Sequence, residues 1–487
     1  MKKRILELEK KSRLLEPDGK ARKKARKQVI DYTENFLEQI GKKKAFISTD
    51  ENGHGLLSSP IEDKPLSMGG ALGLLKKHVD TPGLNPASGG HLGYIPGGGI
   101  YFSALGDYMA DILNRYAGFY FASPGAVRME HMLCKWVADQ IGYPQGAAGN
   151  LCSGGSLANL SAIVTAREAK SIKAKNIEKG VIYLTVHAHH CIQKAIRIAG
   201  LGESIIRFVP VDHQYRMNRV VLENLIRDDL KKGLKPWLVI ASAGTTDTGA
   251  IDPLQEISRV AHKYNLWFHI DAAYGGFFVL TKNGRKKLKG LELSDSIVLD
   301  PHKGMFLPYG LGLVLVKKKE HLLRAHHYQA NYLQDSDPES EVEHSPADLS
   351  AELTKHFRGL RFWLPLKLHG VKPFRDCLDE KLLLASYFHK QIKKAGFETG
   401  PEPELSVVTY RYIPKNRKKL TEDAINSFNE KLIKAVQKDG RIFISSTLLH
   451  NRFTLRFACL SFRTHLSTVD LLVDILKKNA KSLERKL

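Results

Sequence analysis

The sequence predicts an α/β fold: a large domain built on a mostly parallel sheet, followed by a smaller C-terminal α+β domain. Two observations carry this expectation. Between about residues 145 and 320, short β-branched runs alternate with helical patterns, at Val181 to Val186, Ile205 to Val209, Trp237 to Ala241, Leu266 to Ile270, Ile297 to Leu299 and Leu313 to Val316. Strands joined by helical crossovers read this way, with helices on both faces of the sheet. From about residue 371 the chain turns to shorter strands and amphipathic helices, at Ser406 to Tyr412, Phe453 to Leu460 and Val469 to Lys478.

Length agrees with more than one core. The chain has 487 residues, and a single core stops growing near roughly 250 to 300 residues. The expected division is a helical arm and loop over 1–110, a large domain over 111–370 and a small domain over 371–487. Residues 1 to about 45 are highly charged, with a sparse apolar stripe of Ile30, Tyr32, Phe36 and Ile40. Such a stripe is too thin to fold alone and is expected to pack on another surface, that of a second subunit included.

From about 85 to 100 the chain is rich in glycine and proline, with Asn85-Pro86-Ala87-Ser88-Gly89-Gly90-His91 and then Gly97-Gly98-Gly99. Its backbone can approach something closely, as a binding loop or as a plain linker.

The formal charge is +23 and the pI near 9.6. Basic residues run along the whole length, and no nucleic-acid motif accompanies them, so a solvated basic surface is expected rather than a nucleic-acid site. Five cysteines (Cys134, Cys152, Cys191, Cys377, Cys459) show no CxxC pairing. This argues for reduced thiols in a cytoplasmic protein and against a metal cluster. The N-terminus lacks an apolar signal core, and no run is long enough to span a bilayer, so no membrane partner is expected.

Chemistry concentrates at the ends of the predicted strands. Lys303, in Asp300-Pro301-His302-Lys303, follows the apolar run Ser296 to Leu299, and Asp271 follows Leu266 to Ile270. Open α/β sheets place their chemistry at such ends. A lysine there can form a Schiff base and an acid there can pair with a pyridinium nitrogen, the two groups that a pyridoxal phosphate (PLP) enzyme contributes. Asp271 is equally readable as a turn or N-cap residue, but an ionised carboxylate after so apolar a strand needs a partner.

Ser153-Gly154-Gly155-Ser156 opens a helical pattern. Converging N–H groups at a helix start can cradle a phosphate, although a plain Gly-Gly-Ser cap reads the same way. His189, between a strand and a helix, is a stacking ring, a metal ligand or a loop histidine; Thr246, in Gly244-Thr245-Thr246, is a hydroxyl near a cofactor edge or part of a simple turn.

On Ser153 to Asn159, Ala188-His189, Gly244 to Thr246, His269 to Tyr274 and Asp300 to Lys303, the chain resembles the group II PLP-dependent amino-acid decarboxylases, over about residues 60 to 465. The resemblance implies fold type I, a homodimer with its active site at the subunit interface, and PLP as cofactor. It implies Lys303 as the Schiff-base lysine and Asp271 as the pyridinium partner, with Ala273 and His189 on the two ring faces. Gly155, Ser156 and His302 then hold the phosphate, beside Gly154 of the same candidate cradle, Thr246 lies near the ring substituents, and His91 to Pro96, with Tyr94, lines the substrate side.

Two positions depart from the family. Gly304 follows the lysine where members acting on aromatic substrates often have Trp, and Pro346 stands about where several members carry a loop tyrosine that reprotonates the product. The substrate therefore stays open, and Tyr332 or His344 becomes the candidate proton donor in a lid over about 328–356. The expected reaction is decarboxylation of an L-amino acid to an amine and carbon dioxide. The alternatives are an aldehyde-forming or carbon–carbon lyase activity on the same fold, and a non-catalytic basic binding protein.

Overall fold

The computed structural model describes residues 1–51, 53–327, 344–415 and 420–486. Among these, the strands form three sheets. A two-stranded ribbon pairs β1 (Phe46–Ile47) with β2 (Gly83–Leu84). The central sheet holds seven strands in the order β3-β9-β8-β7-β6-β4-β5. They are β3 (Ala148–Cys152), β4 (Gly180–Leu184), β5 (Ile205–Phe208), β6 (Lys235–Ser242), β7 (Trp267–Asp271), β8 (Ser296–Leu299) and β9 (Gly312–Val316).

The expected sheet is present, and it is mixed at one edge. Strands β8, β7, β6, β4 and β5 run parallel, while β9 is antiparallel to both β8 and β3. The reversal follows from the chain: only the short helical turn Pro301–Gly304 and a loop separate β8 from β9. That is too little for the crossover a parallel return requires. Strand β3 was absent from the expected set, because Ala-Gly-Asn-Leu-Cys carries no β-branched residue; it is held by its pairing with β9 from Ala148↔Val316 to Cys152↔Gly312.

The central strands are apolar throughout because helices cover both faces. One core cluster includes Val239, Phe268, Ile297 and Leu315, and the other includes Ile182, Ile240, Val298 and Val314. Alternate residues of one strand thus serve opposite faces.

The third sheet, antiparallel in the order β10-β11-β13-β12, comprises β10 (Phe397–Thr399), β11 (Val407–Tyr412), β12 (Ser445–Leu449) and β13 (Arg452–Ala458). The amphipathic helices Lys372–Lys394, Glu422–Asp439 and Leu466–Glu484 bury Phe388, Leu432 and Leu472 in the core of this unit. The N-terminal helices Lys2–Ser12 and Gly19–Glu38 bury no residue at all.

Candidate functional site

A cavity of about 300 Å³ opens at the C-terminal ends of β6, β7 and β8. Its lining includes Gly154, Gly155, Ser156, His189, Thr246, Asp271, Ala273, His302 and Lys303. Nine residues singled out in sequence, drawn from five separate stretches, thus meet at one place. His91 and Tyr94 are not in that lining. Their loop is bound instead to the small unit, where Leu92 N–H donates to Phe443 O (2.8 Å) and Ala458 N–H to Leu92 O (2.8 Å). His91 is buried, with its ring stacked on Phe443 at 5.7 Å, whereas Tyr94 is half exposed. Tyr332 lies outside the described residues, and His344 lies at the start of the next described stretch.

Lys303 sits in the short helical turn Pro301–Gly304, directly after β8. Its Nζ lies 2.8 Å from Asp300 Oδ2. Burial pulls the ammonium toward neutrality, but the charge and hydrogen bond of Asp300 outweigh it and hold Lys303 above the usual lysine range. Asp300 itself is buried, and among the described residues its Oδ1 has no hydrogen-bond partner.

The lysine turn is clamped from outside by the glycine loop. Gly98 N–H donates to His302 O (3.1 Å) and Leu307 O (2.8 Å), and Ile100 N–H to Phe306 O (3.1 Å). A Cβ on Gly98 would fall 2.2 Å from Phe306 O, so only glycine permits this approach. Phe306 in turn is held at φ 58°, a left-handed conformation that an aromatic residue adopts only when its surroundings impose it. Sequence reading found the close-approach loop but not its target.

Asp271 ends β7, with its Oδ1 accepting the Ala273 N–H at 3.1 Å. Behind it, His269 Nε2 meets Asn159 Oδ1 at 2.8 Å and His269 Nδ1 meets Ser296 Oγ at 2.9 Å. Burial pushes His269 down to about 4, so the ring is a neutral bracket that fixes the helix Gly155–Ala169 to β7 and β8. Nothing in local sequence marked Asn159 as its partner.

That helix begins with Gly154 as its N-cap and no side-chain cap hydrogen bond. Its first N–H groups and the positive end of its dipole face the cavity, an arrangement suited to an anion. Gly155 is required for space, since a Cβ there would lie 2.8 Å from Asp300 Oδ2. His302 Nδ1 donates to Leu311 O (2.6 Å), which leaves Nε2 free of that bond.

His189 caps the helix His190–Ile198, and its Nδ1 accepts the Cys191 N–H at 3.2 Å. Burial lowers its pKa, giving a neutral ring that can lie flat on a planar ligand. Gly244, at φ 104°, turns the chain after β6 toward Thr245 and Thr246. Arg456 of β13, missed in sequence, donates to Thr246 O and, at 3.0 Å, to Asp247 O. It ties the small sheet to the cavity rim. An amine that can bond to an aldehyde, a carboxylate for a ring nitrogen and an uncapped helix start for a phosphate match the three functional parts of PLP.

Residues 89–413 match the family model described as the pyridoxal-dependent decarboxylase conserved domain. The aromatic-L-amino-acid decarboxylase of Bacillus atrophaeus is 33% identical over 408 residues, covering 84% of this chain and 82% of that protein. The phenylacetaldehyde synthase of Petunia hybrida is 27% identical, covering 87% and 86%. Among solved structures, that of Oryza sativa TDC with PLP and tryptamine superposes with a TM-score of 0.90 at 23% identity, covering 96% of this chain and 99% of that one. The fold is that of the fold type I PLP decarboxylases. The chain belongs to the pyridoxal-dependent decarboxylase family, and its activity is PLP-dependent decarboxylation of an amino acid.

Proposed function

We propose that this protein converts an L-amino acid to its amine and carbon dioxide, with Lys303 as the residue that carries PLP. The observation that supports this reading is the convergence of Lys303, Asp271 and the uncapped start of the helix Gly155–Ala169 on one cavity. Bound PLP supplies an electron-withdrawing pyridinium that accepts the electron pair left at Cα when the carboxylate departs. Asp271 keeps the proton on the ring nitrogen. The neutral ring of His189 and the methyl of Ala273 take the two ring faces, and Thr246 lies beside the ring substituents. Gly154, Gly155 and Ser156 hold the phosphate, together with His302. For His302 to donate through Nε2 as well as Nδ1, the ring must take a second proton, which an adjacent anion favours against the burial that lowers its pKa.

A proton then returns to Cα from Tyr332, with His344 as the alternative donor, and the product is an amine. His91 and Tyr94 serve the substrate side from the loop that precedes the glycine clamp. On the same reading the chain divides at about residues 110 and 370, and the active unit is a homodimer. The dimer is supported by exposed apolar side chains on the unburied N-terminal helices (Ile5, Leu6, Ile30) and on the helix Tyr101–Leu113 (Ile112, Leu113). A cytoplasmic location is supported by the free thiols of all five cysteines.

Screening L-amino acids for carbon dioxide release, with amine and aldehyde assayed in parallel, tests the reading. Equal yields of carbon dioxide and amine are expected from one substrate class. Stoichiometric aldehyde would replace the amine product by an oxidative one. Purified protein without bound PLP and without turnover would leave only a binding role.

A further inference from the structure

A second cavity, of about 230 Å³, lies at the opposite end of the central strands, where β7 and β8 begin. It is lined by Lys170, His262, Trp267, Asp295, Lys317, Lys318 and His321 among others. Lys170 follows the helix Gly155–Ala169, Lys317 and Lys318 follow β9, and His321 lies in the first turn of the helix Lys319–His326. Elements far apart in sequence thus deliver three ammonium groups and two imidazoles to one recess that holds a single carboxylate.

That carboxylate is already engaged, since Asp295 Oδ2 accepts the Phe268 N–H at 2.8 Å. Among the described residues, none of Lys170, Lys317 and Lys318 forms an ion pair. Two helix C-termini, after Ala169 and Lys263, contribute roughly half a negative charge each, and the start of the Lys319–His326 helix offsets about one of them. About one and a half positive charges remain on the lining groups, before the nearby carboxylates of Glu292 and Glu320, which act on Lys317 and His321, are counted.

Hydrogen bonds and a ring contact hold several lining side chains in place. Lys170 Nζ donates to Asn265 O (2.8 Å) and Oδ1 (2.9 Å). Trp267 Nε1 donates to Ser296 Oγ (2.8 Å), and its ring packs edge-on against His321 at 5.3 Å. Burial is the largest influence and pulls Lys170, Lys317 and His321 toward their neutral forms, with Asp295 opposing it and Lys235 or Lys318 adding to it. An anion in the recess would relieve that strain, and its binding is linked to it.

We propose that this cavity binds a small, multiply charged soluble anion, a phosphate or phosphomonoester, through Lys170, Lys317, Lys318 and His321. The site is separate from the cofactor pocket, because β7 places Trp267 at its first residue and Asp271 at its last. Lysine ammoniums bind phosphate as point charges, and the half-buried setting of Lys170, Lys317 and His321 strengthens each contact relative to open water.

The test is calorimetric titration of the holoenzyme with inorganic phosphate at constant ionic strength, chloride replacing phosphate. Prior occupancy by PLP keeps the cofactor's own phosphate position from competing. One saturable site per chain is expected, weakened roughly tenfold or more in the double variant Lys170→Met/Lys317→Met, with PLP content and turnover unchanged. Absence of saturable binding, or equal affinity in the variant, overturns the proposal. Should the double variant fail to fold, Lys318→Met at the exposed rim replaces it, and unchanged affinity there overturns the proposal too. Vesicles containing phosphatidic acid that retain the wild type but not the Lys318→Met variant, without binding of free phosphate, overturn the assignment to a soluble anion.

Discussion

Lys303 Nζ rests 2.8 Å from Asp300 Oδ2, three residues earlier in the same turn. Burial favours the neutral amine and Asp300 favours the ammonium, with Asp300 prevailing. Asp300→Asn removes the stronger side of this balance, so the Lys303 pKa falls. Only the free amine attacks an aldehyde. The rate at which apoenzyme takes up PLP, followed by absorbance, is therefore expected to rise at neutral pH and to shift its pH dependence downward. The stability sign is the same: a raised lysine pKa stabilises the folded apoprotein fully below the unfolded value of about 10.4 and loses that contribution as pH rises through the folded value. The variant should lack most of that contribution, because burial, the largest opposing influence, is no longer outweighed by Asp300. An unchanged pH profile of uptake would show that Asp300 does not set the Lys303 charge.

Borohydride reduction of the holoenzyme followed by peptide mapping is expected to place the pyridoxyl group on Lys303. A Lys303→Ala variant should bind PLP only reversibly and lose turnover. A label on another lysine would remove the assignment.

For Asp271→Ala, a native circular dichroism spectrum is expected alongside a loss of roughly two or more orders of magnitude in turnover, because the ring nitrogen loses the group that holds its proton. The Ala273 N–H loses its acceptor as well, which costs about 1 to 3 kcal/mol if it stays buried and unpaired. Near-normal turnover would rule out the role of Asp271.

The glycine clamp makes a separate prediction. A Cβ at Gly98 would fall 2.2 Å from Phe306 O and 2.3 Å from Phe306 Cα, both backbone atoms that no rotamer change can clear. Gly98→Ala should therefore displace the Lys303 turn and lower PLP retention, whereas Gly99→Ala meets no atom within 4 Å and tests only the strain of its φ of 71°. Equal PLP retention in Gly98→Ala and wild type would mean that the clamp does not position the lysine.

Lys303 and Asp271 were legible in sequence because each directly follows a short apolar strand, and strand ends are where an α/β sheet exposes chemistry. The glycine pair before Ser156 was legible for a similar local reason. What escaped was set by tertiary pairing: His269 with Asn159, 110 residues apart, and Arg456 with Thr246, 210 apart. Neither separation leaves a periodic trace. The packing of His91 had no sequence signal either, since its ring stacks on Phe443, 352 residues later in the chain.

Lys355 carries the last prediction. Its Nζ is wholly buried and donates to Glu130 Oε1 (2.7 Å) and Asn150 Oδ1 (3.3 Å). Glu130 Oε1 also accepts the Leu151 N–H at 3.0 Å, so the pair secures β3 just ahead of the Ser153-Gly154-Gly155-Ser156 turn. Removing one partner of a buried pair leaves the other charge uncompensated, at a cost of about 3 to 5 kcal/mol, whereas removing both is far milder. Lys355→Met is thus expected to lower the urea midpoint of the holoenzyme markedly, and Glu130→Gln/Lys355→Met to recover part of the loss. Because β3 leads straight into the turn proposed to hold the phosphate, the single variant should also release PLP faster than wild type. A single variant with the wild-type midpoint and the wild-type rate of PLP release would show that the pair neither stabilises β3 nor positions that turn.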